Sequence, residues 1–156
     1  MPDFMRFLTP NAEFGLILTV LLLFVCAFLA ATVLPLASEA WLVVAALLYP
    51  EWRWLLVAVA TLGNSLGSAT TYWLGRRLHD HFVAHRPRPS QLGPTALRLV
   101  ARWGPPSLLL SWVPVLGDAL VAVAGWLRLR FYSCMGWIAL GKGARYVLLV
   151  WGAALL

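Results

Sequence analysis

The sequence predicts an all-α integral membrane protein in which two re-entrant helical hairpins, each followed by a transmembrane helix, form an inverted repeat. Apolar residues make up 62% of the 156 residues and charged residues only 12%, with a mean hydropathy of +0.81. That balance lies outside the range of soluble globular domains. Residues 34–40 are echoed at 113–119, each time placing a proline and a carboxylate inside an apolar run, and residues 62–64 are echoed at 140–142. Repeated helix breaks with buried charge are typical of membrane transporters, because irregular backbone and ions are tolerated at membrane depth where they line a cavity.

The first predicted hairpin lies on either side of Pro35. Residues 14–34 are apolar over a length that could span the bilayer, whereas residues 40–49 would rise only about 15 Å as a helix against about 30 Å of hydrocarbon. Pro35 ends the first limb, and Ser38 and Glu39 can cap the second. We therefore expect a re-entrant hairpin with Glu39 at its tip.

A predicted membrane span follows at residues 54–75, edged by aromatic residues as is usual at the membrane interface. Gly63, Gly67 and Gly75 lie at four- and eight-residue intervals along it and form a ridge of small side chains on which another helix can pack closely. The ridge could join two subunits or seat a hairpin of the same chain. The oligomeric state is left open by the sequence.

The linker between the halves, residues 76–106, carries half of the twelve basic residues. Arginine-rich short loops stay in the cytoplasm, and no aromatic-basic module accompanies the arginines, so we expect a topological signal and no nucleic-acid partner. Within the linker, residues 95–103 predict a short amphipathic helix with Arg98 and Arg102 on one side, suited to the headgroup layer. A solvated connector is the alternative.

The second predicted hairpin covers residues 107–127, an apolar run broken by Pro114 and Gly117. If this run folds back, Arg128 and Arg130 share a side with the arginine-rich linker, as the positive-inside rule favours. The chain is thus expected to form one membrane domain: repeat 1 at about 14–75, the basic linker at 76–106 and repeat 2 at about 107–156.

Four ionisable residues are expected at membrane depth, and their charges sum to zero. Lys142 and Arg145 lie three residues apart on the last predicted span, 131–156, and face the same way. An unpaired ion in hydrocarbon costs at least about 2.5 kcal/mol, so pairing with the carboxylates is expected. The set could fix hairpin register only, or it could bind protons and substrate in a chamber shared by the two hairpin tips. The predicted binding residues are Glu39, Asp118, Lys142, Arg145 and Asn64, the last supplying neutral hydrogen bonds.

The sequence gives little support for an enzyme, a cofactor or a metal site. All three histidines fall in or beside the basic linker, so no buried Ser-His pair is available for hydrolysis. The two cysteines, Cys26 and Cys134, lie in apolar helices without a nearby ligand set. The expected partners are membrane lipids and, for a coupled transporter, protons.

Several motifs together resemble the DedA family, also called the VTT or SNARE-associated family, in its YqaA-like branch. They are Pro35-Leu36-Ala37-Ser38-Glu39, the glycines Gly63 and Gly67 followed by Tyr72, Gly75 and Arg76, the stretch Ser111-Trp112-x-Pro114-x-x-Gly117-Asp118, Ala124-Gly125, and Gly141-Lys142-x-x-Arg145-Tyr146. The resemblance covers residues 25–150.

That resemblance implies facing re-entrant hairpins, a bacterial inner-membrane location and movement of phospholipids or lipid-phosphate carriers between leaflets, often driven by the proton motive force. It also implies a required acidic residue at Glu39. Many relatives have phosphate-binding arginines where this chain has Ser111 and Gly117, so the anionic contact would pass to Lys142 and Arg145. The expected function is a lipid flippase or scramblase. The alternatives are a non-transporting protein that supports envelope homeostasis or assembly, and a small ion or solute carrier.

Overall fold

The computed structural model describes residues 10–31, 37–82 and 94–153, and within these ranges the chain is helical with no β-strand. The predicted all-α class is therefore confirmed. Two short 3-10 helices, Pro50–Trp52 and Pro105–Trp112, accompany the α-helices. The α-helices are α1 (Pro10–Ala30), α2 (Ala37–Leu48), α3 (Arg53–Phe82), α4 (Pro94–Trp103), α5 (Leu116–Trp126) and α6 (Phe131–Ala153).

A sharp bend separates α2 from α3. Within the described ranges, no helix taken singly meets the length and hydropathy expected of a membrane span, but Ser38–Leu48 and Pro50–His81 meet them as a pair bent by 118°. Pro50 opens the 3-10 turn at the bend, where its missing N–H would have had no intrahelical partner.

Two apolar clusters form the core, and both α3 and α6 pass through them. The first cluster joins α1 and α2 to the start of α3 and the end of α6, with Leu23, Leu42, Leu56 and Tyr146 among its buried members. The second joins α4 and α5 to the end of α3 and the start of α6. The start of α3 thus lies beside the end of α6, so the two long helices run antiparallel and their middles meet between the clusters.

Glycines allow the closest helix contacts, because a Cβ at these positions would collide with a neighbouring backbone. Gly63 and Gly67 of α3 lie against the backbone of Phe24 and Phe28 in α1. Gly75 lies against α5, and Gly125 of α5 lies in turn against the backbone of Tyr72 in α3. The glycine ridge predicted on α3 therefore contacts helices of the same chain along its length.

The boundaries differ from the prediction in three places. The α3 helix continues to Phe82, seven residues beyond Gly75, because residues 76–82 begin with the good helix formers Arg76, Arg77 and Leu78 and contain neither glycine nor proline. The segment predicted as the first limb of the second hairpin is a 3-10 helix that begins at two prolines, Pro105 and Pro106, which cannot donate backbone hydrogen bonds. The amphipathic helix appears as predicted, one residue longer, with Ala96 and Val100 buried.

Candidate functional site

The middle of α6 presents three polar side chains to the rest of the molecule. Lys142, Arg145 and Tyr146 are spaced by three and four residues and so share one helix face. Lys142 and Tyr146 are buried, with 4% and 2% of their surface exposed. This face meets the middle of α3, the first turn of α2 and the end of the second 3-10 helix.

Lys142 is held by polar groups of α3. Its ammonium donates hydrogen bonds of 2.5 Å to Asn64 Oδ1 and 2.5 Å to Ser68 Oγ, and a longer one of 3.3 Å to the carbonyl of Asn64. The three donors of an ammonium are thus all directed at α3. Ser68 was not among the residues predicted from the sequence. It lies four residues after Asn64, a spacing that puts both on one face of a helix.

Tyr146 links α6 to two other helices. Its hydroxyl accepts a 2.6 Å hydrogen bond from Asn64 Nδ2 and shares a 3.2 Å hydrogen bond with Ser38 Oγ in the first turn of α2. A continuous chain of hydrogen bonds therefore runs from Ser68 through Lys142, Asn64 and Tyr146 to Ser38. Ser38, which was predicted at the first break as a cap of α2, thus lies in the first turn of α2 and uses its side chain to bond to α6.

Arg145 joins α2 to the second 3-10 helix. Its guanidinium forms an ion pair with Glu39 in the first turn of α2 and donates a 2.7 Å hydrogen bond to the carbonyl of Trp112, the last residue of the second 3-10 helix. About one fifth of each charged side chain is exposed, 22% for Arg145 and 18% for Glu39. Pulling α2 away from α6 would leave two partly buried ions without their partners, which is costly, whereas moving the second 3-10 helix away would break only the hydrogen bond to the Trp112 carbonyl.

A small cavity lies between α6 and the break in the second hairpin. Its volume is about 30 Å³, room for one or two water molecules. Asp118, in the first turn of α5, faces Lys142 across it, close enough for the two charges to attract. Among the described residues, however, none forms a hydrogen bond or a direct ion pair with the Asp118 carboxylate. The lining consists of Ala30, Ala31, Asn64, Ser111, Trp112, Val113, Pro114, Asp118, Lys142, Arg145 and Tyr146.

Ser111 also faces this cavity with an unsatisfied group. Its side chain is buried, with 6% exposed, and its Oγ has no hydrogen-bond partner in the described part of the chain. Buried hydroxyls are nearly always paired, with protein or with ordered water. The carboxylate of Asp118 and this hydroxyl therefore give the cavity two groups in need of a polar occupant.

Gly117 and Gly141 let the second 3-10 helix approach closely enough to form the cavity wall. A Cβ on Gly117 would collide with the Ser111 carbonyl, and one on Gly141 with the Leu109 carbonyl. The break itself lies at residues 113–115, so Pro114 lies in the break, whereas Gly117 lies inside the first turn of α5. Pro35, the predicted first break, lies outside the described residues.

The structure brings together all five predicted binding residues but in a different pairing. Glu39 does pair with Arg145, whereas Lys142 bonds to neutral oxygens and Asp118 has no directly bonded partner within the described ranges. The expected chamber shared by both acids is also divided. Asp118 lines the cavity, and Glu39 lines an adjoining open groove, with Arg145 bordering both.

Comparison with known proteins places this chain in a family. The profile of the VTT domain matches residues 34–154. The inner membrane protein YqaA of Escherichia coli is 42% identical over 125 residues, which cover 80% of this chain and 84% of that protein, and the Shigella flexneri YqaA protein matches equally well. An uncharacterised protein of Haemophilus influenzae is 40% identical over 149 residues, 90% of each chain. No solved structure matches.

Proposed function

Because this chain belongs to the VTT-domain or DedA family of bacterial inner-membrane proteins, we propose that it moves lipids between leaflets, with a proton as the coupling ion. Its substrate would be a phospholipid or a lipid-phosphate carrier. The observation that carries the proposal is Asp118, a half-buried carboxylate that faces a cavity beside buried Lys142 without a bonded partner among the described residues. Purely structural charges are normally paired.

In the proposed cycle, Asp118 and Glu39 take up and release protons. A protonated Glu39 no longer attracts Arg145, which loosens the contact between α2 and α6. A protonated Asp118 no longer attracts Lys142 across the cavity. Both changes act on contacts that join the hairpins to α6, so proton uptake would be coupled to hairpin movement.

The cycle further supposes an inverted repeat of two re-entrant hairpins. Two observations support this arrangement. The end of α2 leads directly into the start of α3, whereas Arg128, just after α5, forms an ion pair with Asp80 near the end of α3. Since α3 is one continuous helix, the two short helices approach it from opposite ends.

Reconstitution tests this function. We expect liposomes that contain the protein to move fluorescent phospholipid between leaflets faster than empty liposomes, and a transmembrane pH gradient to change that rate. Asp118→Asn and Glu39→Gln should each reduce the rate about tenfold or more, the usual scale for a lost proton-transfer group. Asp80→Asn is the matched control, because Asp80 lies in an exposed ion pair near the end of α3 and does not line the cavity. Rates equal to empty liposomes at every pH would refute lipid translocation.

Two other functions have specific support. The contacts of Arg145 and Tyr146 tie the hairpins to α6, as a non-transporting protein that supports envelope homeostasis or assembly would require. Such a protein would lose stability in Glu39→Gln, which removes the ion pair with Arg145, while the liposome rate stayed at background. The size of the cavity suits a small ion or solute carrier, which would show substrate flux without lipid movement.

A further inference from the structure

An open groove beside the cavity has a charged end and an apolar end. The Glu39–Arg145 ion pair lies at one end, and Leu148 and Leu149 of α6 line the other. The groove volume is about 470 Å³, within the range of ligand sites, whereas the cavity of about 30 Å³ holds only water-sized molecules. A lipid headgroup therefore fits the groove and not the cavity.

We propose that an anionic glycerophospholipid docks in this groove, its phosphate replacing the Glu39 carboxylate on Arg145 while one acyl chain lies along Leu148 and Leu149. This proposal rests on the proposed lipid translocation for its biological role. It assigns the lipid to the groove and leaves the cavity between Asp118 and Lys142 to water and protons.

The chemistry of Arg145 supports the exchange. A guanidinium carries five N–H donors in a planar fork that matches the oxygens of a carboxylate or a phosphate equally well. One arm of Arg145 donates to the Trp112 carbonyl and the other contacts Glu39. A phosphate that takes the place of Glu39 keeps the guanidinium paired, and protonation of the displaced Glu39, as in the proposed cycle, removes the carboxylate charge that would otherwise be left unpaired.

Lys142 cannot supply this contact. Its three donors are directed at Asn64 and Ser68, and only 4% of its surface is exposed. Arg145, with 22% of its side chain exposed, borders the groove directly. The apolar end is more accessible still, since Leu148 is 67% exposed. A phosphate on Arg145 and a hydrocarbon chain over Leu148 are therefore compatible with one bound molecule.

Glu39 is in this view a competitor of the ligand, which gives a test that a structural ion pair would fail. Native mass spectrometry of the detergent-purified full chain would measure binding of phosphatidylglycerol and, as the zwitterionic reference, phosphatidylcholine. We expect Glu39→Gln to bind phosphatidylglycerol about three to ten times more tightly, the scale of removing one partly exposed competing charge. Arg145→Gln should abolish the preference for phosphatidylglycerol.

The apolar end has its own matched pair of variants. Leu148→Trp fills the groove and should weaken phosphatidylglycerol binding at least about threefold, the loss expected from displacing one or two buried methylene groups. Leu62→Trp, at a similarly exposed leucine of α3 outside the groove, should leave binding unchanged. If Arg145→Gln does not fold, Glu39→Gln and the leucine pair decide the question without it.

Four outcomes would overturn the proposal. Two concern the variants: weaker or unchanged phosphatidylglycerol binding in Glu39→Gln, and equal effects of Leu148→Trp and Leu62→Trp. Two concern the ligand: equal binding of phosphatidylglycerol and phosphatidylcholine, and displacement of the lipid by millimolar inorganic phosphate, which would indicate a site for free anions. The binding readout is independent of lipid movement. Liposomes without translocation but with the predicted binding pattern would refute the proposed function alone. Translocation together with lipid binding that is unchanged in Glu39→Gln and Leu148→Trp would refute the groove alone.

Discussion

The backbone of Val115, between the second 3-10 helix and α5, is strained next to the candidate site. Its backbone adopts φ 65° and ψ −52°, and a 2.7 Å hydrogen bond from the Leu116 N–H to the Pro114 carbonyl closes a three-residue turn around it. This γ-turn is rare, and a β-branched residue at positive φ is an outlier. The side chain is 80% exposed, so packing does not explain the choice of valine. Strain of this kind concentrates at switches and binding sites.

Replacing Val115 with glycine should stabilise the protein. The strained conformation costs about 1–3 kcal/mol, and the extra freedom of glycine in the unfolded chain costs about 0.5–1 kcal/mol. We therefore expect Val115→Gly to raise the free energy of unfolding by about 1 kcal/mol, measured by denaturant unfolding in detergent.

Val113→Gly is the matched control for that prediction. Val113 lies in the same break, but its φ of −75° and ψ of 124° suit any residue. Glycine there relieves no strain and should lower stability by about 0.5–1 kcal/mol. A destabilised Val115→Gly would mean that the γ-turn is not strained. If the stabilised variant also translocates lipid more slowly, the strain contributes to function.

At the scale of helices, close backbone packing fixes where the polar groups meet. Gly67 of α3 lies against the backbone of Phe28 in α1. The next residue of α3, Ser68, accepts a hydrogen bond from the Lys142 ammonium. Any separation of α1 from α3 would therefore change the packing of Gly67, the residue next to Ser68 in the site. Gly141, next to Lys142, likewise lets the backbone of the second 3-10 helix pack closely on α6.

Gly67→Ala should be strongly destabilising, although alanine is the better helix former. The new Cβ would collide with the Phe28 carbonyl, and overpacking of this kind costs about 1–3 kcal/mol. Gly136→Ala in α6 provides the comparison, since a Cβ there meets nothing within 4 Å. It should stabilise by about 0.5–1 kcal/mol through helix propensity alone. Thermal unfolding of both variants in detergent measures the difference; equal effects would show that α1 does not pack on Gly67.

Much of this arrangement was predictable from local pattern, and the exceptions have physical reasons. Proline positions and apolar run lengths predicted the helices, and charge balance predicted pairing among the four ionisable residues without specifying which pairs; Glu39 and Arg145 do pair. Charge balance failed for Lys142, because Asn64 and Ser68 solvate an ammonium with neutral oxygens. Ser68 and Ser111 look like ordinary small residues in sequence; only the three-dimensional contacts show that one binds Lys142 and the other faces the cavity unpaired.

Considered as a whole, the molecule is organised along α3. This helix has 30 residues, about 45 Å of length, against about 30 Å of hydrocarbon in a bilayer. Its start adjoins the end of α2, and Asp80 near its end is paired with Arg128 after α5. Arg76 and Arg77 near the end of α3 and Arg128 and Arg130 after α5 thus gather at one end, which the positive-inside rule assigns to the cytoplasm.

This arrangement predicts that the two hairpins open to opposite sides of the membrane, which cysteine labelling can measure. In a background with Cys26 replaced by alanine and the buried Cys134 retained, Trp52→Cys marks the bend after α2, and Arg130→Cys marks the turn after α5; both native side chains are exposed. We expect an impermeant maleimide to label Trp52→Cys in intact spheroplasts but Arg130→Cys only after lysis. Labelling of both from the same side would rule out the inverted repeat, and with it the shared approach of the two hairpins to Arg145 from opposite leaflets.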